Sequence, residues 1–154
     1  MPQYRTSRRV AHSAENMFDL VADVERYPEF VPLCEKLRIR RRAEGGEGTD
    51  IIVAEMTVSY AVLRETFMSR VTLNKPNLKI GVEYLDGPFS RLDNRWSFTV
   101  LDETSCDVAF FISYEFKSRM LGMVMGSVFD AAFRRFADAF EKRADQIYGR
   151  AVKA

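Results

Sequence analysis

Cys106-Asp107-Val108-Ala109-Phe110-Phe111-Ile112-Ser113-Tyr114-Glu115-Phe116 alternates with a period of two. One face carries Cys106, Val108, Phe110, Ile112, Tyr114 and Phe116, and the other carries Asp107, Ala109, Phe111, Ser113 and Glu115. Successive side chains of a strand point to opposite faces, so the run reads as an antiparallel strand with one covered face. Downstream the period changes. Phe129, Phe133, Phe136 and Phe140 recur at spacings of four, three and four. That is the apolar stripe of one long helix starting near Arg119. Arg134, Arg135, Asp138, Glu141, Lys142 and Asp145 fall on its outer face, and Gly149 suits its C-terminal cap. A sheet with one apolar face and a helix with one apolar stripe bury both surfaces by pressing together.

Upstream, from about residue 35, the period is also two. Ile52, Ala54, Met56, Val58 and Tyr60 share a face, as do Leu78, Ile80, Val82 and Tyr84, and then Trp96, Phe98 and Val100. Turn chemistry separates these runs at Gly45-Gly46-Glu47-Gly48, Asn74-Lys75-Pro76-Asn77, Asp86-Gly87-Pro88 and Asp102-Glu103-Thr104. Tyr4 to Ala11 reads as a first strand. Ser13 then suits an N-cap, with the short apolar face Phe18, Val21 and Ala22 after it. The segment from Tyr27 to Cys34 holds Pro28 and Pro32, which no regular helix keeps together, so it is a turn or a second brief helix. The order is strand, two short helices, six strands, long helix, an α+β chain with seven antiparallel strands.

The length of 154 residues fits a single domain spanning 1–154. A formal charge of +1 supplies no strong field toward nucleic acid, and DNA is not an expected partner. Cys34 and Cys106 are too few for a disulfide framework, so reduced thiols and a cytoplasmic setting are expected. The N-terminal stretch has no secretory apolar core, and no apolar run reaches membrane-spanning length.

The element order resembles the START-like, or helix-grip, superfamily. Local motifs are similar to its coenzyme Q-binding branch, which also contains the bacterial ribosome-association toxin. They are Tyr27-Pro28-x-Phe30-Val31-Pro32-x-Cys34, Gly87-Pro88-Phe89-x-x-Leu92-x-x-x-Trp96-x-Phe98, Phe140-Glu141-x-Arg143-Ala144 and Tyr148-Gly149. The resemblance implies a curved seven-stranded sheet gripping the C-terminal helix around a cavity. It implies non-catalytic binding or transport of a ubiquinone-like polyprenyl lipid in support of respiration, with no other cofactor. The alternatives are a ribosome-associated, toxin-like regulator of translation and, third, a cyclase-type enzyme. A transient contact with the inner membrane surface goes with the first.

In such a cavity the strand lining is expected from Met56, Val58, Phe67, Val82, Phe98, Phe110 and Ile112. Tyr84, Trp96 and Tyr114 would add polar handles to apolar bodies. Tyr27, Phe30, Val31 and Phe89 fall near the expected mouth. Val124, Met125 and Phe129 would face the ligand from the helix, because Met120-Leu121-Gly122-Met123-Val124-Met125-Gly126 is apolar all round and needs cover on every side or a cavity. Gly126 leaves room either for ligand or for a close-packed strand.

Other chemistry is weaker. His12 is the only histidine, expected at the surface or a strand edge, and no metal-ligand spacing exists. Cys34 has no evident basic partner and reads as a small buried apolar residue. Glu55 alternates toward water. Glu65 shares the parity of Leu63, Phe67 and Val71 and is either an inward carboxylate or a solvated or arginine-paired one. In Lys36-Leu37-Arg38-Ile39-Arg40-Arg41-Arg42, the residues Arg38, Arg40, Arg41 and Arg42 are either the wet face of a strand or contacts for a phosphate surface, lipid or ribosomal.

Overall fold

The structure is a computed structural model, described over residues 3–149. Seven strands form one antiparallel sheet: β1 (Gln3–Val10), β2 (Cys34–Gly46), β3 (Thr49–Tyr60), β4 (Leu63–Asn74), β5 (Lys79–Asp86), β6 (Phe89–Asp102) and β7 (Ser105–Phe116). Tight turns make β2 through β7 consecutive neighbours, and β1 then pairs with β7, giving the order β1-β7-β6-β5-β4-β3-β2. Between β1 and β2 lie helix α1 (Ala14–Ala22) and a 3-10 helix (Val24–Glu29). Ser13 caps α1 by accepting a hydrogen bond from the Asn16 N–H at 3.1 Å.

The face marked by the period-two runs is the buried one, except at the strand ends, where Tyr60 and Val100 are exposed. Val108, Phe110, Ile112 and Tyr114 of β7 turn inward beside Trp96 and Phe98 of β6. Gly87 shows why the β5–β6 turn needs glycine. Its φ is +144°, and a Cβ there would stand 2.5 Å from the Phe67 Cβ. The turn is pressed onto β4, and Phe89 beyond it is fully buried among the rings of Phe67, Tyr84, Tyr114, Phe116 and Phe129.

The expected single long helix is two: α2 (Arg119–Arg134) and α3 (Phe136–Tyr148). At Arg135 the backbone N–H bonds the Ala132 carbonyl, 3.0 Å away, in a tighter turn of 3-10 type. No proline or glycine marks the break. The apolar stripe runs through it, with Phe133 and Phe136 rings 5.2 Å apart across the junction. Ser118 caps α2 by accepting from the Leu121 N–H at 3.1 Å.

Two further expectations are corrected. His12 is not a surface residue: it is 5% exposed, with Nε2 2.7 Å from Asp145 Oδ1. The last turns of α3 pass over the β1–α1 connection, so Asp145 faces inward toward the only imidazole rather than outward. The apolar stretch at the start of α2 is covered on one side only, where Met125 is buried and Leu121 packs against the core. Met123 is 81% and Val124 52% exposed, and Met120 is also exposed.

The motif residues near the C-terminus fasten α3 to the first third of the chain. Glu141 accepts from Arg8 at 2.9 Å, Arg143 pairs with Glu29 and lies over the Phe30 ring, and Tyr148 donates to the Asn16 carbonyl at 3.2 Å.

Candidate functional site

Where α2 and α3 cross the sheet they do not fill its concave face. An internal cavity of about 90 Å³ remains. The register explains its floor. Val71 of β4, Val82 of β5, Asn94 of β6 and Ile112 of β7 are successive partners and form one row across the sheet. Ile80 and Trp96 form the adjacent paired row, and Met56 and Phe67 pair nearer the β3–β4 turn. Phe129, Ala132, Phe133, Phe136 and Phe140 close the cavity from the helices, and Val24, Tyr27, Pro32 and Leu33 close it from the segment before β2.

Of the residues expected at the site, Tyr27, Met56, Val58, Phe67, Val82, Trp96, Ile112 and Phe129 are brought together around the cavity. The others lie outside its lining. Phe30 sits behind the wall, edge-on to Phe140 at 5.0 Å, and Val31 is buried beside it in the chain. Phe98 packs between Trp96 and Phe18, and Phe110 lies under Trp96 at 4.7 Å. Tyr84 spends its hydroxyl on the Phe89 N–H at 3.1 Å. Phe89, Tyr114 and Met125 are buried in the packed end beyond Phe129. Val124 is solvent-facing because it sits on the uncovered side of α2. Gly126 fits neither of its two readings: among the described residues a Cβ there would meet nothing within 4 Å, and the residue does not line the cavity.

Ser69, Asn94, Leu37, Ala54, Leu92, Phe133, Phe136 and Phe140 also line the cavity. The last three belong to the aromatic stripe whose periodicity is legible in the sequence. Ser69 shares the inward parity of Phe67 and Val71, and Asn94 that of Leu92 and Trp96. A polar residue breaking an apolar alternation is the signal that points to both.

The lining is apolar with few polar groups. Among the described residues it contains no carboxylate, imidazole, thiol, ammonium or guanidinium. Tyr27, its one phenol, donates to the Val21 carbonyl at 2.5 Å, and burial pushes its pKa well above the ordinary tyrosine value. Glu65 has inward parity, opposite Val58, but does not line the cavity. Burial pushes the Cys34 thiol up to about 12, the opposite of an activated nucleophile. Both cysteines are free and buried.

The basic run lies on β2, an edge strand. A bulge between Ile39 and Arg41 breaks its alternation. Arg38 and Arg41 therefore stand opposite Glu55 and Val53, whereas Arg42 stands opposite the buried Ile52. Arg40 pairs with Glu55 at 3.6 Å and Arg42 with Glu25 at 3.3 Å, while Arg38 and Arg41 are exposed with no ion-pair partner among the described residues.

The chain is 38% identical over 149 residues to the ribosome association toxin RatA of Vibrio cholerae, covering 97% of this chain and 99% of that protein. It is 30% identical over 152 residues to the mitochondrial coenzyme Q-binding protein COQ10 homolog B of Xenopus laevis, covering 96% of this chain and 60% of that protein. Among solved structures, the 18 kDa protein CC1736 of Caulobacter crescentus is 33% identical with a TM-score of 0.77, covering 97% of this chain and 99% of that one. A START superfamily protein of Mycobacterium smegmatis has the same fold, with a TM-score of 0.77 at 22% identity, over 94% of this chain and 98% of that one. The family described as polyketide cyclase / dehydrase and lipid transport matches residues 10–141. With its seven-stranded sheet wrapped on C-terminal helices, the chain belongs to this START-like family.

Proposed function

We propose that this protein binds and carries an apolar lipid with an oxygenated ring, of the ubiquinone class, and performs no chemistry on it. The observation that carries this reading is the lining of the cavity: apolar walls, a few neutral polar groups and, among the described residues, no carboxylate, imidazole, thiol or amine for general acid–base or nucleophilic work. The similarity to a protein named for coenzyme Q binding supports the ligand class. Burying an isoprenoid tail from water is worth ~0.8 kcal/mol per methylene, but a tail drawn from a bilayer is already dry. Selectivity therefore rests on the ring and the shape of the cavity. Ligand pockets typically hold about 300–1,000 Å³, so uptake requires α2, α3 or the Pro32–Leu33 segment to move off the sheet. The exposed Met120, Met123 and Val124, flanked by exposed Lys117 and Arg119, give the protein an apolar, basic tip for transient contact with an anionic membrane. In this reading the protein works in the cytoplasm and at the inner membrane, supporting respiratory quinone function. Mass spectrometry of an organic extract of the purified protein tests it. Recovery of a prenylated ring lipid in near-stoichiometric amount is expected, and an extract holding none after expression in quinone-rich cells argues against it.

A second reading is ribosome docking through β2. It is favoured by the exposed Arg38 and Arg41, which have no ion-pair partner among the described residues, and by the similarity to proteins named for ribosome association. Arg38→Gln with Arg41→Gln should weaken co-sedimentation with ribosomes while leaving lipid uptake unchanged. Met120→Ser with Met123→Ser should instead weaken co-sedimentation with anionic vesicles.

A further inference from the structure

Among the residues lining the cavity, Ser69 stands out. It is 5% exposed, and its hydroxyl is buried without a hydrogen-bond partner among the described residues. A buried unpaired hydroxyl is a cost to the empty protein, and natural structures rarely keep one without a use. Asn94, the polar member of the floor, is anchored: its amide donates to the Phe111 carbonyl at 2.9 Å. That bond fixes the side chain while leaving one amide N–H and the amide oxygen for another partner. The two residues stand on β4 and β6 with β5 between them. Asn94 is opposite Val82, Val82 is opposite Val71, and Ser69 lies two residues before Val71 on the same face. Strand spacing and this offset place the two backbones about 12 Å apart. Side chains on one face of a sheet rise roughly perpendicular to it, so two hydrogen bonds of about 2.8 Å leave roughly 6 Å between the partners, room for one flat six-membered ring over Val82.

We propose that Ser69 and Asn94 form the head-group site, holding opposite oxygens of a ring that carries carbonyl or hydroxyl groups on both sides. This rests on the lipid-binding reading above and goes further by assigning the recognition. A serine hydroxyl rotates to donate or accept, and the asparagine amide offers both roles. The pair therefore donates to the carbonyl oxygens of a quinone and accepts from the hydroxyls of its reduced form. Tyr84 and Tyr114 contribute nothing here, because neither lines the cavity.

The test is calorimetric titration of the whole protein with two probes: a short-tailed ubiquinone analogue and an alkylbenzene of matching size with no oxygen. Ser69→Ala should weaken the quinone about tenfold, as loss of a buried hydrogen bond does, and leave the hydrocarbon unchanged. The same substitution should raise the melting temperature of the ligand-free protein, which a merely structural serine would not do. Asn94→Leu should show the same selectivity, and Ser69→Ala alone decides the matter if Asn94→Leu does not fold. If Ser69→Ala leaves the quinone unaffected, or weakens both probes equally, the head-group assignment is overturned while cavity binding stands. If the wild-type protein binds neither probe, the lipid-binding reading fails and this assignment fails with it.

Discussion

Trp96 of β6 and Phe140 of α3 meet edge to face, with ring centroids 4.9 Å apart. The contact joins the middle of the sheet to the second C-terminal helix, and both residues line the cavity. Phe140 is also edge-on to Tyr27 and Phe30, so three segments distant in sequence converge on one ring. Phe140→Ala should therefore cost about 3–5 kcal/mol, the range for truncating a buried aromatic. Urea unfolding would measure it. A loss under about 1 kcal/mol, well below that range, would mean that α3 is not what holds the sheet closed.

Gly126 gives a stabilising change. It sits inside α2 with open space where a Cβ would be and away from the cavity. Gly126→Ala should gain roughly 0.8–1.0 kcal/mol from helix propensity, seen as a higher melting temperature with ligand affinity unchanged. A weaker ligand affinity would place this part of α2 against the bound ligand.

The buried thiols set a pH dependence. Burial raises Cys34 to about 12, and burial with the nearby Asp107 raises Cys106 to about 11, both from an ordinary value near 9. Above about pH 9 the unfolded chain loses thiol protons that the folded chain keeps, so the folded state binds more protons there. Stability should be undiminished by these groups below about pH 9 and fall as pH rises through about 11 and 12. Comparing urea midpoints at about pH 8 and about pH 10.5 tests this: Cys34→Ala with Cys106→Ala should flatten the decline. An unchanged slope would show that other groups cause it.

The fold is legible in the sequence because its strongest signals are periodic. The alternation from Cys106 to Phe116 and the phenylalanine stripe from Phe129 to Phe140 each name their own buried face, and in β6, β7 and the helices that face is buried in the structure. The break at Arg135 is not legible, since a single tightened turn needs no special residue and leaves the stripe in phase. The burial of His12 is hidden too, because its partner, Asp145, lies 133 positions away and looks like an ordinary outer-face residue of a helix. The inward parity of β3 and β4 locates Met56, Val58 and Phe67 at the cavity. Parity alone does not say how far along a strand the cavity extends. Phe98, Phe110 and Tyr114 thus have inward faces yet pack against other rings. The polar pair, Ser69 and Asn94, carries a fainter mark than the large amphipathic rings do: a small polar residue interrupting an apolar face.

Trp96 makes the central claim directly measurable. It is the only tryptophan, 4% exposed, and it lines the cavity beside Asn94 and Phe140. Quinones quench indole emission at short range. Titrating the protein with a short-tailed ubiquinone analogue should give saturable quenching at one ligand per chain, together with a rise in melting temperature. Quenching that grows linearly without saturation, with no thermal shift, would contradict binding in this cavity.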